Sequence, residues 1–410
     1  MKILFLSDNF PPEVNAPASR SFEHCREWAR SGHVVTVITC VPNFPRGKVY
    51  PGYRNRLWQE EEMEGIRTLR VWSYITSNAG FLRRIVDYVS YAAAAFLASL
   101  FVPRPDVVVG TSPQFFTVCS AGAASCLRRV PFVFELRDLW PESIKAVGAM
   151  EDSPAIRFLE KVEMFLYRKA ARIVSVTESF KNVLVRRGIE GDKIEVVTNG
   201  ADLSRFKPRA KDTELVERYG LRGKFVAGYV GTHGMAHALE TLLEAAAALG
   251  RKSDDFRIIL LGDGARKNEL REKAGEMGLV NVLFLDSVSK EDVTRYWSLL
   301  EVSIIHLKRT DLFKTVIPSK LFECMAMGIP VLHGVAGESA AIVEKEGVGL
   351  VFEPENAVDL CEKMIQLKND PALYGKLKDC CIRAAGNYDR TVLARRMLGV
   401  LEEAAGKCKV

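Results

Sequence analysis

The sequence predicts two doubly wound α/β domains, each on a mostly parallel sheet. Three observations predict it. Short, continuously apolar runs of strand length alternate with stretches of helical length along the whole chain. At 410 residues the chain exceeds what one core usually supports, so two domains of roughly 200 residues are expected. The alternation is broken once by turn-forming and polar punctuation, Asn199-Gly200-Ala201-Asp202 to Arg205-Phe206-Lys207-Pro208, and then restarts. The expected domains are therefore 1–200 and 201–387, with a terminal helix over 388–410.

In order, Lys2–Ser7 is expected as a strand buried on both faces, ending in the turn-rich loop Asp8–Pro17. Ala18–Ser31 reads as a helix stopped by Gly32, and Val34–Cys40 as a second buried strand. An irregular loop with basic and aromatic residues, Arg46 among them, runs from Pro42 to Tyr53. Strands are expected at Ile66–Val71, Asp106–Gly110, Pro131–Glu135, Arg172–Val176 and Ile194–Val197, with helices at Phe116–Leu127, Ala155–Ala171 and Glu178–Arg187 between them. Beyond the punctuation, strands are expected at Phe225–Val230, Phe256–Leu261, Val282–Leu285, Val302–His306, Val331–Leu332 and Gly349–Phe352. The helices between and after them are expected at Ala236–Leu249, Arg266–Met277, Lys290–Leu299, Glu338–Glu346, Ala357–Leu367, Ala372–Ala385 and Val392–Ala405. Two such domains facing one another imply a ligand cleft lined by the carboxyl ends of the strands.

Composition narrows the function classes. Hydrophobic content of 48% with 26% charged residues is that of a soluble globular protein. A net charge of +6 suits anionic small molecules or an anionic membrane face and is too weak and dispersed to argue nucleic acid. The nine cysteines lack C-x-x-C spacing, and Met1 leads straight into a strand, so reduced thiols and a cytoplasmic location are expected. Tyr88–Val102 is almost wholly apolar but short of the about 20 residues a membrane span needs. It reads as a buried helix or as an interfacial one, with Phe81, Leu82, Ile85 and Tyr88 toward lipid and Arg83 and Arg84 at headgroups.

The stretch with most chemistry is Pro318–Leu332, read as loop, helix, turn and strand. Ser319 is the expected N-cap and Gly328 the helix stop. Lys320 and Glu323 fall one turn apart at the helix mouth, a carboxylate and an ammonium suited to hydroxyls and phosphates. Gly231-Thr232-His233-Gly234 after a strand has the form of a phosphate cradle, and Gly262-Asp263-Gly264 follows another strand. Lys308, just past a strand end, joins Lys320 as a cation able to offset a leaving diphosphate. No G-x-G-x-x-G follows either leading strand, so a dinucleotide fingerprint is absent.

Taken in order, the leading strand with its Phe10-Pro11-Pro12-Glu13 loop, Asn199-Gly200-Ala201-Asp202 with Phe206 and Pro208, Gly262-Asp263-Gly264, and Pro318-Ser319-Lys320 with Glu323, Ala326, Gly328, Pro330 and Val331 resemble the retaining GT-B glycosyltransferases of family 4. Asp138-Leu139-Trp140-Pro141-Glu142-Ser143 is similar to the bacterial O-antigen, capsule and colanic-acid transferases typified by L-fucosamine transfer. The resemblance covers the whole chain. It implies a GT-B fold, with the N-terminal domain binding the acceptor, the C-terminal domain binding a nucleotide-sugar, and the final helix packing back on the N-terminal domain.

By the same resemblance, Glu323 accepts hydrogen bonds from the donor ribose. Asn15, Ala16 and Gly231–Gly234 flank the diphosphate, Gly262, Gly264, Ser319 and Leu321 also belong to the donor site, and Ser287 and Val288 belong to the segment that reads the nucleobase. Thr315 stands where the family often has a second glutamate, and Gly231–Thr241 lacks the family's Arg and Lys. Lys308 and Lys320 then serve the diphosphate, no metal or other cofactor is required, and Asp138 is the preferred carboxylate for orienting the acceptor, with Glu135 and Glu142 beside it. The implied reaction moves a sugar, UDP-linked and perhaps an N-acetylated hexosamine or deoxyhexosamine, to a polyprenyl-diphosphate-linked saccharide in surface polysaccharide biosynthesis. The enzyme would be peripheral to the inner face of the cell membrane. A sugar-nucleotide 2-epimerase of the same fold is the alternative, and an inactive donor-binding protein a third reading.

Overall fold

Strands with apolar side chains on both faces are stable only when helices cover both faces, and the chain is built that way. The structure, a computed structural model, describes residues 1–13, 15–44, 47–76, 81–140, 153–289 and 291–406, without the side chains of Phe81 and Leu82. Two units result, Met1–Thr198 with Arg390–Val410, and Asn199–Asp389.

The first unit holds β1 (Lys2–Leu6), β2 (Val34–Cys40), β3 (Trp58–Met63), β4 (Ile66–Val71), β5 (Val107–Thr111), β6 (Phe132–Leu136), β7 (Arg172–Ser175) and β8 (Ile194–Val196). They form an eight-stranded sheet in the order β3-β4-β2-β1-β5-β6-β7-β8. β1 lies between β2 and β5, Leu4 opposite both Thr36 and Val108. One face carries the helices Phe81–Phe101, Phe115–Arg128, Pro154–Lys169 and Glu178–Arg186 over a core of Ile38, Tyr91, Phe134 and Tyr167. The other carries Ala16–Arg30 and the final helix, Arg390–Gly406. These two helices meet through buried Trp28, whose Nε1–H donates to Ala394 O at 2.8 Å.

β3 is an addition to the expected elements. It pairs antiparallel with β4 through a tight turn at Glu64 and Gly65, both at positive φ. Its charged sequence, WQEEEM, carries none of the apolar run by which the other strands are recognised. As an edge strand it needs no such run, and Glu60 binds Arg67 across the pair at 2.8 Å.

The second unit holds β9 (Phe225–Val230), β10 (Phe256–Leu261), β11 (Val282–Leu285), β12 (Val302–His306), β13 (Val331–Gly334) and β14 (Gly349–Val351), all parallel, in the order β11-β10-β9-β12-β13-β14. Helix boundaries shift here from those expected. The helix after β9 begins at Glu240, behind a 3-10 turn at Met235–His237, and a short helix at Thr213–Arg218 precedes β9. The expected helix from Lys290 is five residues, Val293–Trp297, and Lys290 itself lies outside the described residues.

In each unit the chain leaves its first strand in one direction and later returns to that strand's other side. The reversals fall between β1 and β5 and between β9 and β12. Ligands of open α/β sheets bind outside the carboxyl ends of strands at such points.

Candidate active site

At the β9/β12 reversal two glycine loops are laced together. His233 N donates to Asp263 O at 2.9 Å, and His233 O accepts from Arg266 N at 3.0 Å. Only glycine permits this approach: a Cβ on Gly262 would lie 1.9 Å from Gly231 O, and one on Gly264 2.5 Å from His233 O. Gly231, Gly262 and Gly264 all have positive φ as well. Buried Lys267, which the sequence reading passed over, locks the arrangement. Its Nζ donates to Gly262 O, Leu285 O and Asp286 Oδ1 at 2.7, 3.0 and 2.6 Å, tying the ends of β10 and β11.

Lys320 reaches into this lattice. Its Nζ stands 3.8 Å from the ring centroid of Tyr229, and a Cβ on Gly231 would be 2.8 Å from it. The Tyr229 hydroxyl donates to Thr232 O at 2.8 Å, which fixes the ring beneath the ammonium. Lys320 makes no hydrogen bond or ion pair with the described residues. Burial lowers its pKa to about 8, with Cys324 and Glu323 acting against the shift. A half-buried ammonium held by an aromatic face beside bare backbone is a ready partner for a phosphate group. Lys308, half-buried past β12, is placed by its backbone N–H on Ala236 O at 2.9 Å.

His233 is fully buried, and neither ring nitrogen has a partner among the described residues. Burial, then Lys267, lowers its pKa to about 4, which favours the neutral ring near pH 7 in the ligand-free chain. His237 beside it was missed. Its ring meets Tyr229 edge-on at 5.7 Å, and burial with Lys320 lowers its pKa to about 4. His306 at the end of β12 contacts His237 O through Nδ1 at 2.8 Å and accepts from Glu355 N at Nε2, 2.9 Å, which assigns its proton to Nδ1.

The helix Lys320–Met327 presents Lys320 and Glu323 on its half-buried side and stops at Gly328 in the left-handed region, as expected. One expectation here fails, and another is narrowed to the backbone. Ser319 makes no side-chain cap, because the first turn closes by backbone bonds, Leu321 N to Pro318 O at 3.0 Å and Phe322 N to Ser319 O at 3.1 Å. Leu321 is wholly buried in the core, so its side chain cannot touch a ligand, and only its backbone stands at the helix mouth. Thr315 spends its hydroxyl on Leu312 O at 2.8 Å. Ser287 is exposed and Val288 half-buried on the loop after β11.

In the first unit Asn15 caps the Ala16–Arg30 helix, its Oδ1 accepting from Ala18 N at 2.8 Å, and its Nδ2 donates to Asn9 Oδ1 at 2.8 Å. The carbonyl of Ala16 faces Arg137 Nη2 at 3.4 Å. Glu135 is not available to an acceptor. It is buried against Arg20 at 2.9 Å, and Arg20 also donates to Val197 O and Thr198 O. Asp138 is half-buried after β6, its N–H and that of Arg137 both donating to Ser112 Oγ. Glu142 and Arg46 lie outside the described residues.

The expected lipid face is also redrawn. Tyr88 and Ile85 are half-buried, and Arg84 donates to the Tyr88 hydroxyl at 2.9 Å. Arg84 and Tyr88 line a cavity, while Arg83 is exposed. Among the described side chains, the large apolar residues exposed on this helix are Val86, Val89, Leu97 and Phe101, spaced as one stripe. The stretch Arg83–Phe101 is long and apolar enough to cross a membrane, yet it packs on the sheet through Tyr91, Ala95 and Ala98.

A glycine-laced strand end at a sheet reversal is where doubly wound α/β proteins commonly hold phosphorylated ligands. Residues 16–200 match the glycosyl transferase 4-like domain, and residues 224–370 the glycosyl transferases group 1 family. The chain belongs to the GT-B glycosyltransferases of family 4, and is a transferase of glycosyl groups. It is 24% identical over 341 residues to the putative colanic acid biosynthesis glycosyl transferase WcaI of Escherichia coli, covering 80% of this chain and 82% of that one. It is 23% identical over 352 residues to the GDP-mannose-dependent alpha-mannosyltransferase of Mycobacterium tuberculosis, covering 86% and 84%. The crystal structure of Anabaena HepE in complex with UDP and glucose matches 98% of this chain and 99% of that one, with a TM-score of 0.71 and 17% identity.

Proposed function

We propose that this glycosyltransferase takes its sugar from a nucleotide-sugar bound at the β9/β12 reversal, and passes it with retention to a lipid-linked saccharide in surface polysaccharide synthesis. The observation that carries the reading is Lys320. It is an ammonium without a hydrogen-bonded or ion-paired partner among the described residues, set against glycine loops whose backbone lies bare. Loss of the nucleoside diphosphate develops negative charge at the bridging oxygen, and a fixed cation with oriented N–H groups stabilises it there. Lys308 is the second cation in this reading, Glu323 takes the ribose hydroxyls, and no metal is required. UDP is the first nucleotide to test, since HepE is described with UDP, while the mycobacterial relative is described as GDP-mannose-dependent.

In this reading the acceptor's lipid brings the first unit to an anionic membrane face. The Val86–Phe101 stripe lies in the lipid interface, with Arg83 among the headgroups.

The test is incubation with UDP-sugars and GDP-sugars. Nucleotide released only when a polyprenyl-diphosphate saccharide is supplied supports transfer. A changed sugar without release would identify the epimerase instead. Calorimetry with Glu323→Ala is expected to show donor affinity weaker by about 1.5–3 kcal/mol, the worth of hydrogen bonds to a charged group. Unchanged binding removes Glu323 from its assigned place.

A further inference from the structure

The second unit has a further cavity, of about 210 Å³, that the donor reading leaves unused. It lies at the opposite edge of the sheet from the β9/β12 reversal. Glu301 lines it immediately before β12, and Gly328 and Ile329 line it just before β13. Its walls are apolar, with Trp297, Leu300, Met327 and Ile329 buried around it. Its mouth is cationic, with exposed Arg209, Lys211 and Lys378 against one carboxylate, Glu301.

The fold already accounts for Glu301. It is ion-paired with Lys211, and its Oε2 accepts from Val226 N at 2.8 Å. Arg209 donates to the neutral Thr294 hydroxyl at 3.3 Å. Lys378 makes no hydrogen bond or ion pair with the described residues. Tyr374, half-buried, stands one turn earlier on the helix Pro371–Ala385, and its hydroxyl has no hydrogen-bond partner among them either. Burial, then Glu301, pushes the Tyr374 pKa up to about 12, so near pH 7 the hydroxyl is a donor. Side chains four apart on a helix are neighbours, so the ammonium and the hydroxyl converge on one acceptor group. Three donors beside an apolar wall match a group with three acceptor oxygens on an apolar body, which is a phosphate monoester. A carboxylate offers two oxygens, and a neutral ligand leaves the cations unmatched. The volume is below the about 300 Å³ of the smaller ligand pockets, so the body is no larger than a single ring.

The helix Lys320–Met327 runs from the donor loops to this cavity. Lys320 at its start stands over Tyr229, and Met327 at its end forms part of the cavity wall. Eight residues of helix span about 12 Å.

We propose that this cavity binds a small organic phosphate monoester, its phosphate on Lys378, Tyr374 and Arg209 and its apolar body against Trp297 and Met327, and that occupancy steadies the helix carrying Lys320 and tightens donor binding. The site stands independently of the transferase reading, and the effect on the donor rests on that reading.

Calorimetry on the full chain at pH 7.5 tests it, with phenyl phosphate as the probe and saturating UDP present to keep the probe from the donor loops. Saturable binding is expected, at least about tenfold tighter than that of inorganic phosphate, which lacks the ring, or of phenol, which lacks the charge. Lys378→Ala, at an exposed position, is expected to weaken phenyl phosphate about fivefold, and Tyr374→Phe about threefold, while UDP affinity without the probe stays as in the wild type. Saturating phenyl phosphate should tighten UDP binding about fivefold, at the low end of couplings between sites. The site is overturned by the absence of saturable binding, by equal affinity for phenyl phosphate and either partial probe, by unchanged affinity in Lys378→Ala, or by competition between phenyl phosphate and UDP. The effect on the donor is overturned if UDP affinity does not rise while the site fills. Failure of the transferase reading shows separately, as no nucleotide release from any sugar nucleotide with any acceptor, and leaves the phenyl phosphate titration and its weakening in Lys378→Ala as they are.

Discussion

The two strand-end sites are built at equivalent points of similar sheets and are opposite in charge. After β9 the chain runs Gly231-Thr232-His233-Gly234, so a neighbouring loop can interlock and an ammonium can lie against the backbone. After β1 it runs Asp8-Asn9-Phe10, which buries Phe10 and brings carboxylates around an open cavity. The doubly wound sheet supplies the place of a site, and the residues following the first strand supply its sign.

The contrast is broken most directly at Lys320. Lys320→Ala is expected to weaken UDP binding by about 2–3 kcal/mol, the value of a charge-assisted contact, in calorimetry. A loss of less than threefold would mean that the glycine loops act without it. A smaller effect follows from pH. In the proposed reading the cation binds diphosphate, and burial lowers its pKa to about 8. UDP affinity should therefore be flat below pH 7 and fall as pH rises through 8, approaching about tenfold per unit above it. Lys320→Ala should abolish that slope.

The acidic site is read in stability, which also falls as pH rises but over a lower and wider window. Asp8 ionises near 3.8 when unfolded and near 8 when folded. Between those values the folded chain holds a proton that the unfolded chain has lost, so stability falls as pH rises through the window. Asp8→Asn cannot ionise, and its melting temperature relative to wild type should rise from pH 5 to pH 8. A constant difference would place Asp8 in solvent. The smallest effect on the fold is expected at the stripe. Leu97→Asp with Phe101→Asp changes exposed positions and should alter stability by only about 0.5 kcal/mol per site. Co-sedimentation with anionic liposomes should nevertheless be lost, and undiminished co-sedimentation would refute the membrane face.

Much of the fold was legible in the chain because parallel strands buried on both faces leave continuous apolar runs, as in Val34–Cys40 and Val302–His306. β3 left no such trace, because an edge strand paired on one side can be charged throughout. The glycine loops and Lys320 were legible because glycine after a strand has few uses and a lysine at a helix mouth has a partner to find. The cap at Ser319 was misassigned from spacing alone. Spacing gives a residue's place on a helix, but whether the first turn needs a side-chain cap or the side chain points inward depends on what packs there.

By itself, the sequence determined the alternation of elements, the point of division, the stop at Gly328 and the family. Those features are local: each depends on propensity, hydrophobic period or a glycine conformation within a few residues. Only the tertiary structure decided which charges are already spent. Lys267 is spent on the ends of β10 and β11 and Glu135 lies buried against Arg20, whereas Lys320 stands over Tyr229 with no ion pair among the described residues. Whether a charged group has a partner is settled by residues as far away in sequence as Tyr229 is from Lys320 and Arg20 is from Glu135, so no local pattern records it.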